Sequence, residues 1–421
     1  MYINLANIDF GGEGGGKAVL QETTIESLLT ETTKVVTPPE GVDGFNKVTV
    51  THAPVETLTE ATITSNGETT ITPSAGFDAT FGVKVSVEVT TPVEVFTDLD
   101  GTKYRSSIIA DFPGNFRLGA RTGLNCKNMF EGCSNLTSVP LFDTSKVTDM
   151  SSMFSGCGSL ASVPLFDTSN VTNMFNIFTE CHKVASIPEF DTSNVTDMTR
   201  AFYGCSKITS IPLFNTSNVT LMYGMFDECS HLTSVPLFDT SKVTDMTYMF
   251  NKCSRLTSVS LFDTSKVTYM SYMFADCRSL ASVPLFDTSN VTDMAYMFLN
   301  CKSLTSVPAL NTVNVNNISG IFRNCSELTS VGILDAQNFF VVSYAFLNCT
   351  KLTTLGGFTG LKVNLDLSPC PALTHDSLLN VINEAADVTS SPQTLTLGAT
   401  NLAKLTDEEK AIATSKGWTL A

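Results

Sequence analysis

Residues 286–301 read FDTSNVTDMAYMFLNC, and close variants of this segment recur every 24 residues along most of the chain. In each variant a cysteine follows the phenylalanine by three residues, as Cys301 follows Phe298. A fixed period of this length is typical of a solenoid, whose coils are too small to bury their own apolar faces and therefore stack on one another. The ten phenylalanines of this register are Phe130, Phe154, Phe178, Phe202, Phe226, Phe250, Phe274, Phe298, Phe322 and Phe346.

The order of residues within one repeat predicts a strand, a turn and a short helix. Residues 136–139 (LTSV) alternate as a strand does, and the Asp-Thr-Ser of residues 143–145 favours a turn. The apolar residues after the turn are spaced i, i+3, i+4 and i+7, which is one face of two helical turns. They are Met150, Met153, Phe154 and Cys157. We therefore predict an α/β solenoid of 24-residue coils with a parallel sheet.

This consensus resembles that of BspA-like leucine-rich repeat surface proteins, in the variant built on FDTSNVTDMxxMFxxCxxLTSVP. Residues 286–301 match it almost letter for letter, and the resemblance covers about 250 residues. It implies a right-handed leucine-rich repeat solenoid. Such repeats are scaffolds that bind different partners, so the resemblance implies a fold more strongly than a function.

Composition divides the chain into five predicted parts. Residues 1–16, which end in a glycine run, form an N-terminal attachment segment. Residues 17–91 hold two short β modules with a strand, a Pro/Gly/Asp turn and a strand each. Residues 92–125 are a linker and N-terminal cap, residues 126–373 are the solenoid, and residues 374–421 are a C-terminal cap.

Two further segments resemble proteins of bacteriophages. The β modules, clearest in residues 60–87, are similar to short modules of tail and fibre proteins in phages of gut bacteria, including Bacteroides and crAss-like phages. The ending LTLGATNLAKLTDEEKAIATSKGWTL at residues 395–420 is similar to the ends of phage proteins that carry these repeats. It contains a capping box at residues 406–409 and the only tryptophan, Trp418, which we expect to cover the end of the core.

The net charge of −16 argues against a nucleic-acid partner and against an anionic membrane surface. No run of about 18 apolar residues exists, so we expect no membrane insertion. The first residues lack the basic and apolar regions of a secretory signal. If Met1 is the initiator, we expect that the protein is not exported by that route.

The cysteines and histidines predict neither a metal site nor a catalytic site. Cysteines in one repeat register are interpreted as buried free thiols, with a disulfide or metal ladder as the disfavoured alternative. Residues 98–102 (DLDGT) resemble the nucleophile motif of haloacid-dehalogenase-like phosphatases. That chemistry needs a parallel βαβ sheet, and here the solenoid begins within about 30 residues, so we interpret the motif as an acidic turn. We predict no enzyme activity, catalytic residue, cofactor or metal.

An aspartate recurs at the turn, as in Asp239, Asp263 and Asp287. Like charges about 5 Å apart repel, so each needs partners, and the neighbouring Thr and Ser hydroxyls and backbone N–H groups can supply them. A calcium-decorated edge is the alternative interpretation.

Tyrosines concentrate at the variable positions of the predicted helix. Tyr248, Tyr272 and Tyr296 share one register in three successive coils. A row of rigid amphipathic rings suits contact with a protein or a glycan, and a ladder that only packs against itself is the alternative. The candidate partner-binding residues are Tyr203, Tyr223, Tyr248, Tyr269, Tyr272 and Tyr296.

Together these features predict a non-enzymatic virion protein, a head or tail fibre of a bacteriophage. Residues 1–91 would bind other virion proteins, with the chain as a homo-oligomer, and the solenoid would bind a host surface protein or glycan. The alternative is a leucine-rich repeat adhesin on the bacterial cell surface.

Overall fold

A computed structural model of the chain describes residues 126–139, 141 and 144–421, and of the earlier residues only the backbone of eight strands. The chain divides into two compact units, Met1–Val171 and Thr172–Ala421. Within each unit, 24-residue coils stack through backbone hydrogen bonds between equivalent positions. The N–H of Phe226, for example, donates to the carbonyl of Met249 in the next coil at 3.0 Å. The predicted stacking of coils is confirmed.

The predicted helix of each coil is wrong: these segments are two consecutive tight turns joined by an overlapping third, such as that closed by Asn251 N on Tyr248 O at 3.1 Å. Met249 N donates to Met246 O at 3.1 Å and Cys253 N donates to Phe250 O at 3.0 Å, each across four residues. Tyr248 (φ 59°) and Lys252 (φ 58°) occupy the third positions of these turns in the left-handed region. Positive φ at this position is required by type II turns and ends α-helical geometry. The two turns still place their apolar side chains inside.

Stacked phenylalanines form the core. From Phe178 to Phe322, the rings of successive coils lie 5.6 to 5.9 Å apart between centroids, with planes within 12°. A second phenylalanine column packs beside the first, with Phe262 6.0 Å from Phe250. In the first unit, Phe130 and Phe154 stack at 5.5 Å. All six named phenylalanines are buried.

The predicted parallel sheet is formed in the last coils of the solenoid. Here β9 (Ser306–Val307), β10 (Ser330–Val331) and β12 (Thr354–Leu355) pair in parallel in the order β12-β10-β9. Strands β11 (Leu334–Asp335) and β13 (Phe358–Thr359) form a second parallel pair. In earlier coils the predicted strand is reduced to single bonds, such as Thr257 N to Thr233 O at 3.4 Å.

The described part of the C-terminal cap has the predicted features. Helix α1 (His375–Glu384) begins after the N-cap Thr374, and α3 (Asp407–Ser415) begins with the capping box of Thr406 and Glu409. The buried Trp418 donates from Nε1 to Ala386 O at 2.9 Å. The remaining elements are β14 (Leu365–Asp366), β15 (Gln393–Thr396), α2 (Gly398–Leu402) and β16 (Trp418–Leu420), and the three strands form a parallel sheet in the order β14-β15-β16.

The two predicted β modules share one antiparallel sheet of order β1-β2-β8-β4-β5. Strand β8, from the second module, lies between β2 and β4 of the first, so the copies complete each other. The strands are β1 (Ile3–Asn4), β2 (Leu20–Thr24), β3 (Lys34–Val36), β4 (Phe45–His52), β5 (Glu56–Glu60), β6 (Thr62–Ile63), β7 (Thr69–Ile71) and β8 (Val83–Val89), and β3-β7-β6 form a second sheet. Residues 92–125 lie outside the described residues, and the bounds of the five predicted parts stay predictions.

A search of the described residues finds no helix that combines the length and apolarity needed to cross a membrane.

The phenylalanine stack predicts a large difference between two Phe→Ala variants. Phe250 is fully buried, so Phe250→Ala should cost about 3–5 kcal/mol of unfolding free energy. Phe340 is 82% exposed, so Phe340→Ala should change it by no more than about 0.5 kcal/mol. Urea unfolding followed by circular dichroism measures both, and equal losses would contradict the assignment of the core.

Candidate functional site

Tyr248, Tyr272 and Tyr296 form a ladder of stacked rings on the turn side of the solenoid. Adjacent ring centroids lie 4.7 and 4.8 Å apart, with planes 11° and 21° from parallel. Each residue has a φ between 56° and 59°, a strained conformation for an aromatic residue, and stacking worth about 0.5–1.5 kcal/mol per pair offsets that strain. The rings therefore pack against one another, and their contact with a partner stays a prediction. The ring faces contact one another, and the edges and hydroxyls remain for a partner.

The ladder ends differently on its two sides. Tyr223 meets Tyr248 edge to face at 5.6 Å, and the Arg200 guanidinium lies 5.2 Å from the Tyr223 centroid and 5.5 Å from that of Tyr203. At the other end lies Gly320, where any Cβ would overlap the ring of Tyr296. Glycine at this column gives the last tyrosine room to lie across the following coil.

A surface groove of about 540 Å³ runs beside the ladder. We call it the tyrosine groove. Its second wall is a column of parallel bridges in which Tyr269 lies between Asp245 and Asp293 of the neighbouring coils. Tyr269 is 50% exposed, which makes it the most accessible ring of the groove. The residues that define the groove are Asp245, Tyr248, Tyr269, Tyr272, Asp293 and Tyr296.

The groove presents both hydrogen-bond donors and hydrogen-bond acceptors. One oxygen of Asp245 accepts from Thr247 N and one of Asp293 accepts from Ala295 N, both at 2.8 Å, and this fixes the orientation of the carboxylates. Burial, and then the neighbouring tyrosines, raise the pKa of Tyr248 and of Tyr272, so both hydroxyls stay protonated at neutral pH. Phenol donors, carboxylate acceptors and one accessible ring suit a polar ligand such as a glycan or a peptide.

A buried carboxyl lies near the arginine end of the ladder. Burial raises the pKa of Asp227 to about 6, against the lowering effect of a hydrogen bond from Asn251 Nδ2 at 2.8 Å. Beside it, Lys252 Nζ forms an ion pair with Glu228 at 2.6 Å. The chain therefore keeps a titratable group on this surface that changes charge just below neutral pH.

The structure brings the six predicted tyrosines onto one side of the solenoid. Tyr203 and Tyr223 share Arg200, Tyr248 to Tyr296 form the ladder, and Tyr269 lies across the groove. Their role as partner-binding residues stays a prediction.

Sequence reasoning missed the carboxylates of the groove and the apolar residues beyond it. Phe340 is 82% exposed, and Val341 is 37% exposed and bridges to Asn317 at the end of the groove. Tyr344, 61% exposed, carries Arg323 at 5.7 Å from its ring centroid. The sequence does indicate that Phe340 is unusual, because most other coils have Thr at the equivalent position.

The turn aspartates follow the structural interpretation, with one difference. Asp263 accepts from both the N–H and the hydroxyl of Ser265, at 3.0 and 2.7 Å, and these bonds lower its pKa. The threonine hydroxyl does not help, because Thr240 Oγ1 instead donates to the backbone carbonyl of Asp263 in the next coil at 2.8 Å. The threonine therefore joins coils while the serine holds the carboxylate.

All twelve cysteines are free and buried. The thiol of Cys229 donates to Phe202 O at 3.1 Å, and the thiol of Cys253 donates to Phe226 O, also at 3.1 Å. Burial is the main cause that raises the pKa of both thiols. Each thiol thus serves as a small apolar group with one coil-to-coil hydrogen bond.

The histidines that the structure describes serve separate local contacts. His182 Nδ1 lies 2.9 Å from Gly204 O, and His375 Nε2 lies 2.8 Å from Glu409 Oε1. Across residues 126–139, 141 and 144–421, no group of three or more His, Cys, Asp or Glu is arranged to hold a metal ion. The DLDGT motif at residues 98–102 lies outside the described residues.

Parts of the chain are similar to known proteins. The family described as "Mycoplasma protein of unknown function, DUF285" matches residues 124–235 and 230–333. A leucine-rich repeat protein of T. pallidum is 24% identical, with a TM-score of 0.33 over 40% of this chain and 76% of that one. A leucine-rich repeat protein of Eubacterium ventriosum is 17% identical, with a TM-score of 0.31 over 57% of this chain and 78% of that one. No curated protein matches this chain by sequence. These two structural neighbours are bacterial leucine-rich repeat proteins.

The raised pKa of Asp227 predicts an unusual pH dependence. Because its folded pKa of about 6 exceeds the ordinary 3.8, its contribution to stability is full below pH about 4 and is lost as the pH rises through about 6. Asp227→Asn should therefore stabilise the fold by about 1–3 kcal/mol at pH 7.5 and have little effect at pH 4. Urea unfolding at both pH values measures this.

Asp239→Asn is the matched control, because hydrogen bonds from Ser241 lower the pKa of Asp239. Its stabilising contribution is present at neutral pH and is lost as the pH falls. A stability gain at pH 7.5 for Asp239→Asn, or none for Asp227→Asn, would refute the assigned environments.

The buried thiols predict a clear outcome in thiol titration. In native buffer, Ellman's reagent should react slowly with the folded chain, because the thiols are covered and protonated. Under denaturant it should find nearly all twelve thiols free. Recovery of few thiols in denaturant would show that the cysteines are paired.

Proposed function

We propose that this chain is a non-enzymatic binding protein that uses the tyrosine groove to bind a surface protein or glycan. The observation that carries the proposal is the half-exposed Tyr269 between two oriented carboxylates, beside a rigid row of tyrosine hydroxyls. Aromatic rings with few rotatable bonds lose little entropy on binding and are enriched among the residues that dominate binding energy.

The variable side of the coils supports the choice of this surface. Beneath it the phenylalanine and cysteine columns scarcely change, whereas the outer columns change from coil to coil. A rigid scaffold with varied outer residues separates stability from specificity. The acidic groove and the net charge of −16 disfavour nucleic acid as the partner.

For the biological setting, we propose a head or tail fibre of a bacteriophage virion, attached through residues 1–91 as a homo-oligomer. The support is the resemblance of the β modules and of the chain's ending to phage proteins, and the pairing of the two modules into one sheet. A leucine-rich repeat adhesin on the bacterial surface is the second candidate, favoured by the likeness of the repeats to BspA-like surface proteins. Mass spectrometry of purified virions and of surface-shaved bacteria separates the two.

The groove is tested with Tyr269→Ala in the full chain. Loss of a central aromatic anchor typically costs ~2 kcal/mol, so binding of the labelled protein to a panel of gut bacteria and to a glycan array should weaken by about 30-fold. The melting temperature should stay the same, because the residue is half exposed.

The matched control is Tyr344→Ala, an exposed tyrosine that does not line the groove. Equal binding by Tyr269→Ala and the unmodified chain, with folding intact, would remove the tyrosine groove from the proposal.

A further inference from the structure

The strand side of the second unit has a surface without ionisable residues. Six successive coils contribute one six-residue segment each, from ITSIPL at the first to LTSVGI at the last. In a chain with a net charge of −16, so large an uncharged area is unusual. We call it the uncharged face, and its segments are 208–213, 232–237, 256–261, 280–285, 304–309 and 328–333.

A row of exposed leucines runs along the uncharged face. Leu213, Leu237, Leu261 and Leu285 occupy one column in four successive coils and are between 59% and 61% exposed. Other leucines of the same coils, such as Leu232 and Leu256, are fully buried, so the exposed row is not needed to fill the core. Contiguous exposed apolar rows of this kind mark protein contacts.

The threonines of the face are less polar than their composition indicates. Thr233 Oγ1 donates to Thr209 O at 3.1 Å, and Thr329 Oγ1 donates to Thr305 O at 2.9 Å. These hydroxyl protons are used between coils, so a partner meets mainly methyl groups and acceptor oxygens. Depletion of charge with retention of apolar and neutral polar groups is the composition of an interface core.

We propose that the uncharged face is the surface through which two copies of this chain associate. Two acidic molecules repel over most of their surfaces, and here each presents a region without charge. The leucine row also has the coil spacing of ~4.8 Å, which only a surface with the same repeat matches along its length. Six coils of six residues span about 25 by 20 Å, or about 500 Å², which is more than half of the ~800 Å² of accessible surface that each partner of a stable dimer buries.

Charge beside the face selects the orientation of the copies. Asp239, Asp263 and Asp287 follow the leucine column by two residues and are exposed, so they form an acidic row along one edge. In an antiparallel pair the acidic rows of the two copies meet, and like charges ~5 Å apart repel by on the order of 1 kcal/mol each. In a parallel pair each acidic row meets the opposite edge of the other copy, where Lys207, Arg255 and Lys302 precede the segments and are exposed. The copies therefore run parallel.

Cysteine crosslinking of the full chain tests the contact and its orientation. The native cysteines described are buried, so an introduced surface thiol reacts selectively with a short bismaleimide. Ser258→Cys, at the centre of the face, should give crosslinked dimer. Ser210→Cys and Ser282→Cys, which are exposed in the same central column, should each crosslink to themselves, because parallel copies bring equal positions of this column together.

The matched control is Leu221→Cys, an exposed leucine on the tyrosine side, which should give no dimer. Equal crosslinking by Leu221→Cys and Ser258→Cys would overturn the proposal, since copies held together elsewhere would give that result. Crosslinking only in a mixture of Ser210→Cys and Ser282→Cys chains would overturn the parallel arrangement. Absence of crosslinks from all face variants would overturn the interface itself.

A charge variant provides an independent measurement. Ser258 is exposed at the centre of the face, so Ser258→Asp should leave the melting temperature of the chain unchanged. It should weaken self-association in sedimentation by about tenfold, equivalent to ~1.4 kcal/mol, whereas Ser258→Ala should not. Unchanged association of Ser258→Asp would contradict the proposal.

Discussion

The structure depends on hydrogen bonds that leave one coil and enter the next. In the turn segments, N–H groups alternate between a bond inside their own turn and a bond to the following coil. Met249 N closes a turn on Met246 O, and Phe250 N reaches Met273 O at 2.9 Å. An α-helix would use both N–H groups internally and could not join coils in this way. The left-handed residue in each turn is what releases the second N–H group.

Because the register between coils is fixed at 24 residues, every side-chain column becomes a ladder. Phenylalanines stack on phenylalanines, and thiols such as those of Cys229, Cys253 and Cys277 donate to a carbonyl of the preceding coil. Amides do the same: Asn324 Nδ2 donates to Asn300 Oδ1, and Asn348 Nδ2 donates to Asn324 Oδ1, both at 2.7 Å. A residue therefore fits a column only if its side chain can pack against the equivalent side chains of the adjacent coils. The described turn aspartates, such as Asp239, Asp263 and Asp287, meet this condition because each accepts from the backbone N–H of the serine two residues later.

The sequence predicted the coils and the core because these follow from periodicity alone. It could not distinguish a helix from two turns, since the spacing of Met150, Met153, Phe154 and Cys157 is the same in both. The residues that distinguish turns from a helix lie at another position of the repeat. Gly132, Gly156 and Gly204 occupy the position where later coils need positive φ, and glycine there favours a turn over a helix.

The candidate site was predictable in part for a similar reason. Tyrosines in one register imply adjacent rings, and the ladder follows from that. The groove depends instead on the bridge column, where Asp245 and Asp293 flank Tyr269. The sequence alone does not reveal that this column lines the groove. The turns determine which columns of side chains lie next to each other, and the turns were not predicted.

The two sides of the solenoid impose different conditions on a partner. On the tyrosine side the column of Tyr248 also holds Arg200, Gly224 and Gly320, so successive coils offer different contacts and a partner can be discriminated along the axis. On the strand side the coils repeat one pattern with little change, and a ligand shifted by one coil meets nearly the same surface. Such a surface has little capacity to discriminate between partners, but it is complementary in spacing to any surface whose coils repeat at the same distance. The tyrosine side therefore suits the specific recognition that we propose, and the strand side suits the proposed association of like with like.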